Sequence, residues 1–211
     1  MTDITNILYW ISTGLLIPVI VVLLIYFIRS LIIAGGFVGS YINRLNFMKQ
    51  LAVFEDELKQ GNFPEKNEEI KLKGNSLFNH HLNKIINEGH DELVGEKLLA
   101  DFEIVCEKDL SSAKSLARLG PMLGLMGTLI PMGPALVGLA AGDISSMAQN
   151  MQVAFSTTVV GLLVGAIGYL IQLIKQRWFV EDMNNLEFIY QYLLKNNTSN
   201  TYKNEKKETV S

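Results

Sequence analysis

Residues 119–174 carry a single charged side chain, Asp143. A stretch this apolar is long enough for two bilayer crossings, since one crossing takes about 20 mainly apolar residues. Glycine, proline and hydroxyl residues punctuate both halves. Gly120–Leu136 reads GPMLGLMGTLIPMGPAL, and Ala154–Ile171 reads AFSTTVVGLLVGAIGYLI. A span that serves only as an anchor has no use for so many small and hydroxyl side chains. They favour close helix packing and a polar path through the membrane. That combination points to transport rather than soluble catalysis.

An earlier apolar run, Ile7–Ile28, is followed by Arg29. A signal peptide would carry a basic leader, a shorter apolar core and a small-residue cleavage site. Here Asp3 is the only charge before the run, so it reads as a retained transmembrane helix with Tyr9 and Trp10 near the outer interface. The 18 Lys and Arg residues set the orientation: one is Arg29, eleven lie in 44–118, six lie in 175–207, and 1–28 and 119–174 hold none. The positive-inside tendency then predicts three spans in the cell (cytoplasmic) membrane, N-terminus outside and C-terminus inside.

The predicted organisation is all-α: three transmembrane helices with long helical cytoplasmic extensions. Residues 1–42 hold the first span, at about 7–28, and an interfacial extension in which Gly35, Gly36 and Gly39 allow a bend. Residues 43–116 form a cytoplasmic helical region, with helices expected over 45–60 and 75–88 and a third starting near Asp91. Gly61-Asn62 and Pro64 stop the first of these, and 65–74 reads as a loop. The second span covers 117–142, an outer loop 143–150, and the third span 151–174. A helical extension over 175–195 presents Phe179, Met183, Leu186, Ile189, Tyr190 and Leu193 at spacings of three and four. Residues 196–211 are polar and read as a disordered tail.

A net charge of −3, with no basic stripe interleaved with aromatics, gives no sign of nucleic-acid binding. The lone Cys106 excludes an internal disulfide framework and reads as a structural thiol. No phosphate loop, metal-binding motif or nucleophile–base pair is visible, so neither an enzyme, a metal nor a cofactor is expected. His80, His81 and His90 read as solvated or locally packed.

Within the spans, Gly120, Gly124 and Gly127-Thr128 place small residues on one face of the second helix. Ala154, Thr158, Gly161 and Gly165 form a stripe on the third. Such stripes let backbones approach closely, and packing is their commoner role. Ser156 reads as bonded to its own helix. Thr157 and Thr158 point about 100° apart and cannot both face one narrow path. Thr158 is favoured as facing a pore, with Thr128 its counterpart. Pro131 and Pro134 either kink the second span or free carbonyls near Leu129 and Ile130 for an ion or a partner. No Asp, Glu, His, Lys or Arg lies deep in any span, whereas a proton relay needs a titratable group there. A second chain should supply it.

These residues resemble the MotA/TolQ/ExbB proton-channel family. The likeness rests on the Gly-Leu-Met-Gly-Thr run ending at Thr128, the Thr-containing, Gly-rich third span, and the three-span topology with its large inner loop. Three spans are similar to the TolQ/ExbB branch. The resemblance implies a homopentamer whose second and third spans line a pore. Helices of a one-span partner resembling ExbD or TolR, bearing a membrane Asp, would sit inside it. It also matches Thr128 and Thr158 to the family's pore threonines. Proton flow would then power transport or an envelope process. Relatives of this kind usually carry a glutamate five residues before the third-span threonine; here that position is Val153, beside Gln152. The competing expectation is a membrane scaffold that assembles helices and recruits a cytoplasmic partner without ion flux.

Overall fold

The structure, a computed structural model, describes residues 2–60, 70, 72–89 and 91–208. His90 and most of the loop expected at 65–74 lie outside these residues. Five helices follow in order: α1 Thr2–Gly14, α2 Leu16–Lys59, α3 Ser76–Glu88, α4 Glu92–Ala140 and α5 Ile144–Glu208. There is no strand among the described residues. Three helical stretches are long and apolar enough to cross a membrane, within Tyr9–Leu58, Glu92–Ala140 and Ile144–Lys195. The chain is an all-α, multi-pass membrane protein. It divides into two units: Met1–Gly36 with Leu110–Ile174, and Phe37–Asp109 with Lys175–Ser211.

The first unit holds the apolar spans. Its helices leave large side chains uncovered, among them Ile17 at 73% and Val159 at 67% exposure. That much uncovered apolar surface fits lipid or other membrane helices. The first span is interrupted between α1 and α2, at Gly14-Leu15. Pro18 explains the break, because it cannot donate to the Gly14 carbonyl one turn back and its ring crowds that oxygen. Leu15 N still donates to Ile11 O, and Val19 N to Leu15 O, both at 3.1 Å. Beyond that point α2 continues through Gly35, Gly36 and Gly39, so the helix expected over 45–60 is part of it rather than a separate element.

The outer loop expected at 143–150 is also corrected. The turn is only Ala141–Asp143, and α5 begins at Ile144. Gly142 takes a positive φ of 77°, and Asp143 N donates to Gly138 O at 2.9 Å. Asp143 Oδ1 then accepts from Ser146 N at 3.0 Å. A polar run that reads as a loop is here a capped helix start, where Asp and Ser belong. At the other end, α5 passes through the expected extension and runs on to Glu208, where the composition predicts a disordered tail from Asn196. No Gly or Pro follows Gly168, so nothing in that sequence breaks the helix.

The second unit packs around one apolar core. Phe47 and Leu51 of α2, Phe78, Leu82 and Ile85 of α3, Phe102 of α4, and Leu186 and Ile189 of α5 are all essentially buried. Their three- and four-residue spacing on each helix turns one stripe inward. Tyr190 lies across Gly95, where any added Cβ would strike its ring, and its hydroxyl donates to Glu92 O at 2.9 Å. His81 is buried against Phe102, with ring centroids 5.1 Å apart. Cys106 is buried in the same core; burial first, then the nearby carboxylates of Asp182, Asp109 and Glu103, push its thiol up to about 12. Such a thiol is structural and unreactive.

One charged cluster is embedded in this unit. Arg44 Nη1 donates to Asp182 Oδ1 at 2.6 Å and Nη2 to Glu181 Oε2 at 3.2 Å. Its guanidinium also lies over the rings of Phe47 and Trp178, at 5.2 and 5.7 Å. The other oxygen of Asp182 accepts from Asn75 Nδ2 at 2.9 Å. Asn75 Oδ1 caps α3 by accepting from Phe78 N at 3.0 Å. One carboxylate thereby ties α2, α5 and the start of α3 together.

Candidate ion-pathway site

The second and third spans meet through glycines. A Cβ placed on Gly161 would lie 2.6 Å from Gly124 Cα and 2.7 Å from the Gly120 carbonyl oxygen. One on Gly120 would lie 2.7 Å from Gly165 N, and one on Gly165 would lie 2.5 Å from the Pro121 ring. Real Cβ atoms do not come this close, so each glycine is required by its neighbour's backbone or ring. Gly120, Gly124, Gly161 and Gly165 thus lie where the two helices touch, and Gly168 lies against Ala117 and Leu116.

Gly127 faces Thr157. A Cβ there would lie 2.5 Å from Thr157 Oγ1. Thr157 is buried, at 7% exposure, whereas Thr158 is half-buried. This revises the expected stripe: the residue sharing the small face with Ala154 and Gly161 is Thr157, and Thr158 lies at its edge. The physical reason is helical phase. Positions 154, 157, 161, 164 and 168 fall within one narrow sector at 100° per residue, and 158 lies roughly 80° off its centre. Thr158 Cα is nevertheless 3.5 Å from the Cβ position of Gly124. Thr128, one turn beyond Gly124, is likewise half-buried.

The hydroxyl protons are committed locally. Thr128 donates to Leu125 O at 2.7 Å, Thr158 to Ala154 O at 3.1 Å, and Ser156 to Gln152 O at 2.8 Å. Thr157 donates to both Val153 O and Ala154 O, at 3.0 and 2.9 Å. With their protons given to backbone, the half-buried Thr128 and Thr158 hydroxyls keep lone pairs free to accept. Thr128 and Thr158 are thus acceptors, suited to a hydronium, a protonated carboxyl or a metal cation, and neither can supply a titrating proton.

Pro121, Pro131 and Pro134 all sit inside an unbroken α4. The carbonyls left without a donor one turn earlier are those of Ala117, Gly127 and Ile130. Ile130 was expected; for Pro131 the freed carbonyl belongs to Gly127, in the helix contact, rather than Leu129. A further feature lies between α5 and α2. Gln149, Gln152, Val153 and Ser156 of α5 face Leu23 and Leu24 of α2 across an open cleft of about 510 Å³. The signal was present in the i, i+3, i+7 spacing of the three polar residues. Val153, the position where relatives were expected to carry glutamate, lines this cleft. Among the described residues no three or more His, Cys, Asp or Glu side chains converge as metal ligands would.

Three long apolar helices, two of them packed through glycines, make this a helical, multi-pass membrane protein. The MotA/TolQ/ExbB proton channel family matches residues 71–187, more than half of the 211, and the chain belongs to that family. No curated protein and no solved structure matches it.

Proposed function

We propose that this chain is the pore-forming subunit of a proton-motive-force-driven energising complex and has no enzymatic activity of its own. Five copies surround helices of a one-span, ExbD/TolR-like partner in the cytoplasmic membrane, with the N-terminus outside and the C-terminus inside. The partner brings a membrane Asp, protons pass between that carboxyl and the acceptors at Thr128 and Thr158, and the movement powers transport or an envelope process. The observation that carries this reading is the combination of two half-buried threonine acceptors with spans that hold no Asp, Glu, His, Lys or Arg at depth. Acceptors alone cannot relay a proton, so a carboxyl from another chain completes the chemistry.

Thr158→Val keeps the shape and deletes the acceptor. In the reconstituted complex it lowers proton flux roughly tenfold, the effect of losing about 1.4 kcal/mol of hydrogen bonding at the barrier. Thr158→Ser retains flux, and both variants assemble normally. Wild-type flux from Thr158→Val would remove this residue from the pathway. A scaffold without flux is the second reading, favoured by the full use of Gly120, Gly124 and Gly161 in packing. It requires that no flux accompany any partner.

A further inference from the structure

On α5, Thr158 and Ser156 lie on opposite flanks of the face that packs on α4, each roughly 100° from Thr157. The Ser156 flank, with Gln149 and Gln152, lines the cleft against α2. Both glutamines are exposed, and among the described residues neither carboxamide has a hydrogen-bond partner. Each offers two donors and an acceptor. The opposite wall contributes only Ile20, Leu23 and Leu24, which satisfy none of them. Carboxamides left dry in hydrocarbon are costly, and irregular polarity at membrane depth is tolerated where it meets water. The cleft has room for several waters, each taking about 30 Å³ in the liquid.

We propose that this cleft is a water-filled vestibule, held wet by Gln149 and Gln152 and separate from the Thr128/Thr158 line. Gln152, in its wall, lies about 13 Å along α5 from the Asp143 turn, nine residues at 1.5 Å each, and the proposed water reaches at least that deep. The apolar barrier on this side is thinner by that depth. The membrane potential, which falls only across the dry part, is concentrated on the remaining length.

The test reads water access directly and needs neither ion flux nor a partner, so it stands or falls apart from the proposed function. Single cysteines are introduced in the full chain in lipid nanodiscs at Gln149→Cys, Gln152→Cys and Leu24→Cys, with Ile25→Cys on the adjoining face of α2 as reference. Ile25 is 56% exposed, so bulk crowding does not protect it. A charged, membrane-impermeant methanethiosulfonate is added, and wild type, with its buried Cys106, gives the background. The three cleft positions label at least tenfold faster than Ile25→Cys. In unsubstituted protein, water-edited solid-state NMR shows the Gln152 carboxamide gaining water magnetisation faster than the Leu24 methyls. Cleft labelling no faster than at Ile25→Cys, or disulfides to a co-purifying chain in place of labelling, would overturn the vestibule.

Discussion

Gly161→Leu disrupts the packing of the second and third spans and costs more than about 3 kcal/mol of stability, above the usual 1–3 for overpacking. The magnitude follows from what surrounds Gly161. Its absent Cβ would meet Gly124 Cα at 2.6 Å and the Gly120 carbonyl at 2.7 Å, both backbone, so no rotamer change relieves the clash. Helices must separate, and the facing contacts of Gly120 with Gly165 and Gly127 with Thr157 are lost together. Gly161→Ala is milder because one methyl asks for a smaller shift. Gly36 provides the opposite case, having nothing within 4 Å of its Cβ position. Gly36→Ala is neutral or stabilising by up to about 1 kcal/mol, from helix propensity alone. Thermal unfolding followed by size-exclusion in detergent ranks the three variants. A Gly161→Leu protein as stable as wild type would show that this contact does not hold the spans together.

Arg44→Ala is the second large effect, at about 3–5 kcal/mol, because it strands a buried carboxylate. Asp182 is 1% exposed. Burial pushes its carboxyl up to about 6 from 3.8, although the charge and hydrogen bond of Arg44 and the hydrogen bond from Asn75 pull it down; Glu181 adds to the rise. Because the folded value is raised, the folded state holds a proton that the unfolded chain has released between about 4 and 6. The stabilisation from that proton is fully present below about 4 and fades as pH rises through about 6. Without Arg44 the carboxyl rises further, so the loss extends toward neutral pH. Thermal midpoints measured from pH 4 to 8 check the sign: Asp182→Asn removes this slope, and Arg44→Ala steepens it. The double change Arg44→Ala with Asp182→Ala costs less than the sum of the singles, since neither charge is left alone.

The long stretch with Asp143 as its single charge and the distribution of 18 basic residues made the three spans legible, because bilayer thickness and charge exclusion act on composition alone. The stripes at 120–127 and 161–165 were legible for the same kind of reason: only small residues permit the backbone approach that the structure contains. What escaped were matters of phase and local bonding. Choosing between Thr157 and Thr158 required knowing which sector of α5 meets Gly127, and a 100° step separates the two answers. The residues after Asp143 look like a loop by polarity, yet one side-chain bond to Ser146 N starts a helix there. Pro18 marked the break at Gly14-Leu15, but the apolar run around it conceals the signal. The Arg44–Asp182 pair joins residues 138 positions apart, a separation that helical periodicity does not encode.

The spans offer acceptors and no acid, and the account of function turns on where the acid comes from. The most direct measurement is proton flux through the complex as it comes from the native membrane. Full-length chain is affinity-purified with whatever co-purifies and reconstituted into vesicles containing a pH-sensitive dye. A potassium gradient with valinomycin then drives protons. The account predicts flux well above protein-free vesicles, carried by preparations containing a one-span chain with a membrane Asp and abolished when that Asp is changed to Asn. Flux no greater than in protein-free vesicles while such a chain is present, or flux that survives its Asp→Asn change, would contradict the account.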